Sequence, residues 1–160
     1  MSFKYVETDH PHWKYQTTED YLHVYVPGNQ PRPGQTDPLS TRKYVCKEET
    51  CLLRERYAWN GSNVVADTED SQRASAVHDA SCQAMGLEIY EASWKNWERA
   101  AAEYRQLCIE DGLERINSDG KGWVRIRAGG VRSRAWTRYS GILVAGGNDY
   151  KWRKWRMKFA

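Results

Sequence analysis

Along the first third of the chain, apolar positions recur every second residue. In DYLHVYV (20–26) aromatic or aliphatic side chains alternate with others, the period of a half-buried strand. TRKYVCKEETCLLRERYAW (41–59) reads as a hairpin turning at Lys47–Thr50. Between them PGNQPRPGQTDPLS (27–40) carries four of the five prolines, so that stretch is a loop or an extended arm.

The period then changes. TEDSQRASAVHDASCQAMG (68–86) opens with an N-cap residue, Thr68, and acids in its first turn, and it closes at Gly86, which predicts one helix. In EIYEASWKNWERAAAEYRQLCIEDG (88–112) Trp94, Trp97, Ala101, Tyr104 and Cys108 share one helical face, and Gly112 is the predicted stop. The short link predicts an antiparallel pair over 68–112. Further on, RSRAWTRYSGILVAGG (132–147) has helical character, while Gly129-Gly130 and Gly146-Gly147 read as turns. The pattern predicts a single α+β domain over 1–160: a β-rich N-terminal part with a Pro-rich arm, a central antiparallel helix pair and a basic C-terminal segment over 148–160.

Composition adds two points. With 8 Trp and 10 Tyr against 2 Phe, the interior must supply partners for ring N–H and O–H groups. Charge is unevenly spread: residues 121–160 hold 11 Lys or Arg against the single acid Asp149, a local +10, which leaves −7 for the first 120 residues. The tail Lys151, Trp152, Arg153, Lys154, Trp155, Arg156 and Lys158 fits a phospholipid or other anionic surface, with nucleic acid the weaker fit. It also fits docking on the acidic part of its own fold. No stretch is apolar for the roughly 18 residues of a membrane span. The start MSFKYVETDH lacks the features of a signal peptide, so a host-cytoplasmic or virion location is expected. Cys46 and Cys51 flank the KEET turn and can face each other across a hairpin, but without an export signal the expected state of all four cysteines is reduced.

The chemistry centres on Val77-His78-Asp79-Ala80. If the helices pair antiparallel, His78 can meet Glu103 of the second helix, giving a His–acid dyad whose free ring nitrogen takes a proton from water. Successive helix residues lie about 100° apart, so Asp79 points sideways, toward the Asn60-Gly61-Ser62-Asn63 turn, where it can hold a hard cation with turn oxygens.

A small-residue turn, then ASAVHDA (74–80), then a Trp- and Ala/Glu-bearing helix, then RSRAWTRYSGILVAGG resembles a domain family of unknown function widespread in tailed phages and prophages, over roughly residues 57–147. Members commonly carry an Asp-Gly-Ala-Ser-x-Pro turn, where this chain has Asn60, Asn63 and Val65 at the acid, serine and proline positions. That arrangement is similar to the phospholipase A2 plan. The resemblance implies His78 as general base, Glu103 as the acid that orients it, and a calcium ion held by Asp79 with Asn60, Gly61 and Ser62. The activity it implies is ester hydrolysis of phospholipid. The other expectation is a noncatalytic virion (tail or capsid) or accessory protein, whose arm and basic tail grip neighbouring phage proteins.

Overall fold

The computed structural model describes residues 3–34, 43–61, 68–118 and 124–148, with the backbone alone at 124–127 and 145–148. Six strands form two antiparallel sheets. β1 (Tyr5–Glu7), β2 (Tyr15–Thr17) and β6 (Ala58–Trp59) pair in the order β1-β2-β6; β3 (Tyr21–Val24), β4 (Tyr44–Cys46) and β5 (Thr50–Leu53) pair in the order β3-β5-β4. Three helices follow: α1 (Gln72–Gly86), α2 (Trp94–Ser118) and α3 (Val124–Asn148). The expected α+β class holds, as does the hairpin turning at Lys47–Thr50. The β1–β2 hairpin lies in a stretch where the pattern predicts no strand.

The core forms where α1 lies against both sheets. Its sequence is rich in small residues, and twelve of its fifteen residues are buried, because small side chains let a helix approach neighbours on several sides. The serines also answer the demand set by the aromatic composition. Trp59 donates its indole N–H to the Ser75 hydroxyl at 3.0 Å, and the Tyr25 hydroxyl lies 2.9 Å from that of Ser81. Around Trp59, Phe3, Tyr5, Tyr15 and Tyr57 gather with ring centroids 5.6–6.1 Å away, a spacing that favours tilted and edge contacts.

The expected helix pair is present and antiparallel: Arg73 near the start of α1 meets Glu110 and Asp111 late in α2, while His78 meets Tyr104 and Trp97 earlier in α2. Its details differ from the pattern's reading. Thr68 is the N-cap, as expected, with Glu69 and Asp70 in the first turn, but that turn, Glu69–Ser71, is 3-10, and the Thr68 hydroxyl bonds to Asp70 and Arg138. The second helix does not stop at Gly112 but continues to Ser118. At Gly112 a Cβ would stand 2.7 Å from a Val131 methyl of α3 and 3.3 Å from an Asp70 oxygen, so this glycine serves close helix approach and not termination. Gly129-Gly130 and Gly146-Gly147 are likewise not turns: both pairs lie inside α3. Burial of Val131, Ala135 and Ile142 outweighs the roughly 1 kcal/mol that each helical glycine costs.

The described half of the Pro-rich stretch is an arm docked on its own fold. Pro33 bridges Tyr90, and Asn96 accepts from the Arg32 N–H at 2.8 Å and donates to the Arg32 carbonyl at 3.0 Å. At Gly34 a Cβ would fall 2.0 Å from the Glu88 carbonyl oxygen, so only glycine fits there. The tail from Lys151 through Trp152, Arg153, Lys154, Trp155, Arg156 and Lys158 lies outside the described residues. No helix among the described residues is long and apolar enough to cross a membrane.

Candidate functional site

Glu103 faces the interior from α2, one turn after the small pair Ala100-Ala101. Its carboxylate takes up the end of β3. His23 Nε2 lies 2.8 Å from Oε1, the Val26 N–H donates to both oxygens at 3.1 and 3.3 Å, and the Asn29 amide donates to Oε2 at 2.8 Å. The His23 and Glu103 side chains are 4% and 1% exposed. A carboxylate offers about four acceptor positions, and three donors meet this one, with the Val26 N–H shared between its two oxygens. The group therefore clamps a strand end, with its unpaired backbone N–H, to a helix.

This corrects the expected dyad: Glu103 is bound to His23, and His78 has other neighbours. The His78 ring is 11% exposed and packs edge-on against Trp97 and Tyr104, with centroids at 5.2 and 5.9 Å. Cys82, one turn on, brings its sulfur to 3.7 Å from Nε2 and 3.8 Å from Nδ1, and Asp79 approaches Nδ1 at 3.7 Å. Burial pushes the Cys82 thiol well above its ordinary range, so it is a poor nucleophile. The carboxylate near His78 is thus its sequence neighbour, at a distance longer than a hydrogen bond.

The expected calcium ligands are only partly described. Asn60 is exposed, Gly61 is buried with φ +77, and Ser62 lies outside the described residues. Asp79 has the His78 nitrogen as a neighbour, whereas calcium takes six to eight oxygens. Among the described residues, no group of three or more His, Cys, Asp or Glu side chains is placed to hold a metal ion.

A second charged centre sits at the far end of the bundle, where the first turn of the helical region meets α2 and α3. Asp70, 3% exposed, receives three guanidiniums: Arg134 at 3.5 Å, with Arg115 and Arg138 at 3.7 Å. Burial works against its charge, but the Thr68 hydroxyl and the three arginines together hold its carboxyl below the usual range. Nearby, Arg73 grips Asp111 at 2.6 Å and Glu110 at 3.0 Å. Burial pushes the Asp111 carboxyl up to about 6 despite the opposing pull of Arg73. Phe3, Tyr5, Arg73, Asp111 and Arg115 help line a cavity of about 520 Å³ here. The pattern did not single out Arg73, Asp70 or Asp111, although the acid–Arg run TEDSQR carries two of them.

On the outer side of α3, Trp136 is 54% exposed, yet its ring is held by the Arg105 guanidinium at 4.5 Å and the edge of Tyr139 at 5.5 Å. Arg132, Ser140 and Val144, four or eight residues away along the helix, are exposed on the same side. Comparison of the chain with protein-family models, with curated proteins and with solved structures finds no match.

Proposed function

We propose that this protein is a noncatalytic binding protein, in which the α1–α2 pair is a scaffold and the outer face of α3, with the basic tail that follows it, meets an anionic partner. The observation that carries the reading is the engagement of Glu103: its carboxylate is bound by His23, Val26 and Asn29, and is thereby turned to the end of β3 and not to the His78 imidazole. His78, enclosed by Trp97, Tyr104 and Cys82, is consistent with the same reading. On α3 the cation–π stack fixes an exposed aromatic ring among arginines, and rigid aromatic and Arg side chains are what binding surfaces concentrate. Arg134 and Arg138 spend part of the positive charge on Asp70, which leaves Arg132 and the tail for a partner. In the setting that the family resemblance implies, this would be a virion or accessory protein of a tailed phage.

Mixed vesicles of anionic and zwitterionic phospholipid test both sides of this reading. It predicts no fatty-acid release above background with or without calcium. It also predicts binding to an anionic surface that weakens steeply with salt, since such contacts are screened over about 10 Å at 0.1 M. Calcium-dependent release that disappears in His78→Ala would overturn it in favour of phospholipase A2-like catalysis.

A further inference from the structure

We propose that Cys46 and Cys51 are a disulfide-forming pair, a modification site on the inner face of the second sheet. The register places them directly opposite each other on β4 and β5. Two backbone bonds identify the kind of rung they occupy. Lys47 N–H donates to the Thr50 carbonyl at 2.7 Å, and Arg54 N–H donates to the Lys43 carbonyl at 2.9 Å. Rungs alternate along an antiparallel pair, so Cys46 and Cys51 stand at a non-hydrogen-bonded rung, where opposed Cα atoms approach to about 4.5 Å. That lies within the span a disulfide tolerates, about 4.4–6.8 Å. The two sulfurs are 3.2 Å apart, and both residues are fully buried.

The neighbours leave each sulfur the other as its covalent partner. His23, opposite Cys51 on β3, occupies a hydrogen-bonded rung, as the Tyr25 N–H to Glu49 carbonyl bond of 3.0 Å fixes, and its ring is turned to Glu103. Cys82 contacts His78, and Cys108 contacts Arg138 at 3.9 Å. From the inside, the Tyr90 hydroxyl holds the turn by donating to the Lys47 carbonyl at 2.9 Å. On the outside, Lys47, Glu48 and Glu49 are exposed.

With oxidised glutathione as the oxidant, one Cys thiolate attacks a glutathione sulfur and releases one glutathione thiolate. The second Cys thiolate then displaces the other glutathione, closing the Cys46–Cys51 bond. Two protein thiols and one glutathione disulfide become one protein disulfide and two glutathione thiols, which carry away the two protons. The hydrogen bond to Cys46, together with burial, raises the Cys51 thiol well above its ordinary range, and both residues are fully buried, so attack in the folded protein waits on opening of the β4–β5 turn. Once formed, the bond is sheltered from reductant in the same way.

The test uses the full chain, refolded from urea in a glutathione redox couple and, in parallel, exposed to oxidised glutathione while folded. Free thiols are then alkylated in denaturant and the peptides mapped by mass. Refolding removes the barrier of access, so the geometry alone decides that arm. The expected result is loss of two of the four thiols, both in the peptide spanning 46–51, with Cys82 and Cys108 alkylated. The oxidised protein should melt several degrees higher and resist dithiothreitol until unfolded. Four alkylated thiols after refolding, or a bond joining Cys82 or Cys108, would overturn the proposal. In Cys51→Ala, Cys46 should end as a free thiol or a glutathione adduct; should that variant fail to fold, the wild-type peptide map still decides.

Discussion

Glu103 and Asp70 are both buried carboxylates, but the protein satisfies them by different means. Glu103 sits against the second sheet and is met by a histidine, a backbone N–H and an amide, so its role is to fix the geometry of a strand end. Asp70 sits where the 3-10 turn, α2 and α3 converge and is met by three arginines, two of them about half exposed, so its role is to absorb the charge of a basic helix. One centre is made of short, directional hydrogen bonds, the other of longer ion contacts. The first should be insensitive to salt and intolerant of substitution; the second should respond to both salt and pH.

The largest effect that separates the two centres should come from Glu103→Ala. Removing this acid leaves the buried His23 and the part-buried Val26 N–H and Asn29 amide without their acceptor, and breaking a buried charged network costs about 3–5 kcal/mol. Urea unfolding should show that loss equally in low and high salt. For Asp70→Asn we expect a smaller loss, about 1–3 kcal/mol, and one that shrinks as salt screens the repulsion among Arg115, Arg134 and Arg138 in the variant. Equal salt response in both variants would erase the distinction.

Titration sharpens the contrast within the second centre. The native Asp111 carboxyl, at about 6 against an ordinary 3.8, holds its proton more tightly than the unfolded chain does. Stability therefore falls as pH rises from about 4 to about 6, by roughly 1–3 kcal/mol, and Asp111→Asn should flatten that slope. Asp70 has the opposite sign: its carboxyl is lowered, so its contribution is present above about 4 and is lost as pH falls further. A wild-type stability curve that rises between pH 4 and 6 and is unchanged by Asp111→Asn would contradict this assignment.

The smallest stability effect should come from the exposed face of α3. Trp136→Ala should change unfolding free energy by about 0.5 kcal/mol or less, the range of surface substitutions, while weakening binding to anionic vesicles at least several-fold. A variant that binds unchanged would remove Trp136 from the contact surface.

Much of this was legible in the chain. The alternation in DYLHVYV marked a half-buried strand, and Glu103 of the Ala-rich turn was expected to meet a histidine on the facing helix, but which side of the strand turns inward, Tyr21, His23 and Tyr25 and not the apolar Leu22 and Val24, was not written in the alternation. The choice of partner was not legible, because both His23 and His78 lie on faces directed inward, and only the stacking of β3 against α2 decides which reaches the acid. The glycines misled for a related reason. Gly112 and the pair Gly129-Gly130 have the composition of helix ends, yet Gly112 admits Val131 and the α3 pair is carried by burial along α2, and neither long-range fact is written in local spacing. The His-Asp tetrad drew attention by its chemistry, while the acid–arginine network of Asp70, Arg134 and Arg138 spans some seventy residues and carries no motif.

The central claim is that Glu103 belongs to His23 and not to His78. Two double-mutant cycles test it most directly, His23→Ala with Glu103→Gln and His78→Ala with Glu103→Gln, each read by urea unfolding. Contacting pairs couple by about 0.5–3 kcal/mol, whereas independent sites add within about 0.3–0.5 kcal/mol. The account predicts coupling above about 1 kcal/mol for the His23 cycle and additivity for the His78 cycle. Coupling in the His78 cycle with additivity in the His23 cycle would contradict it and restore the dyad.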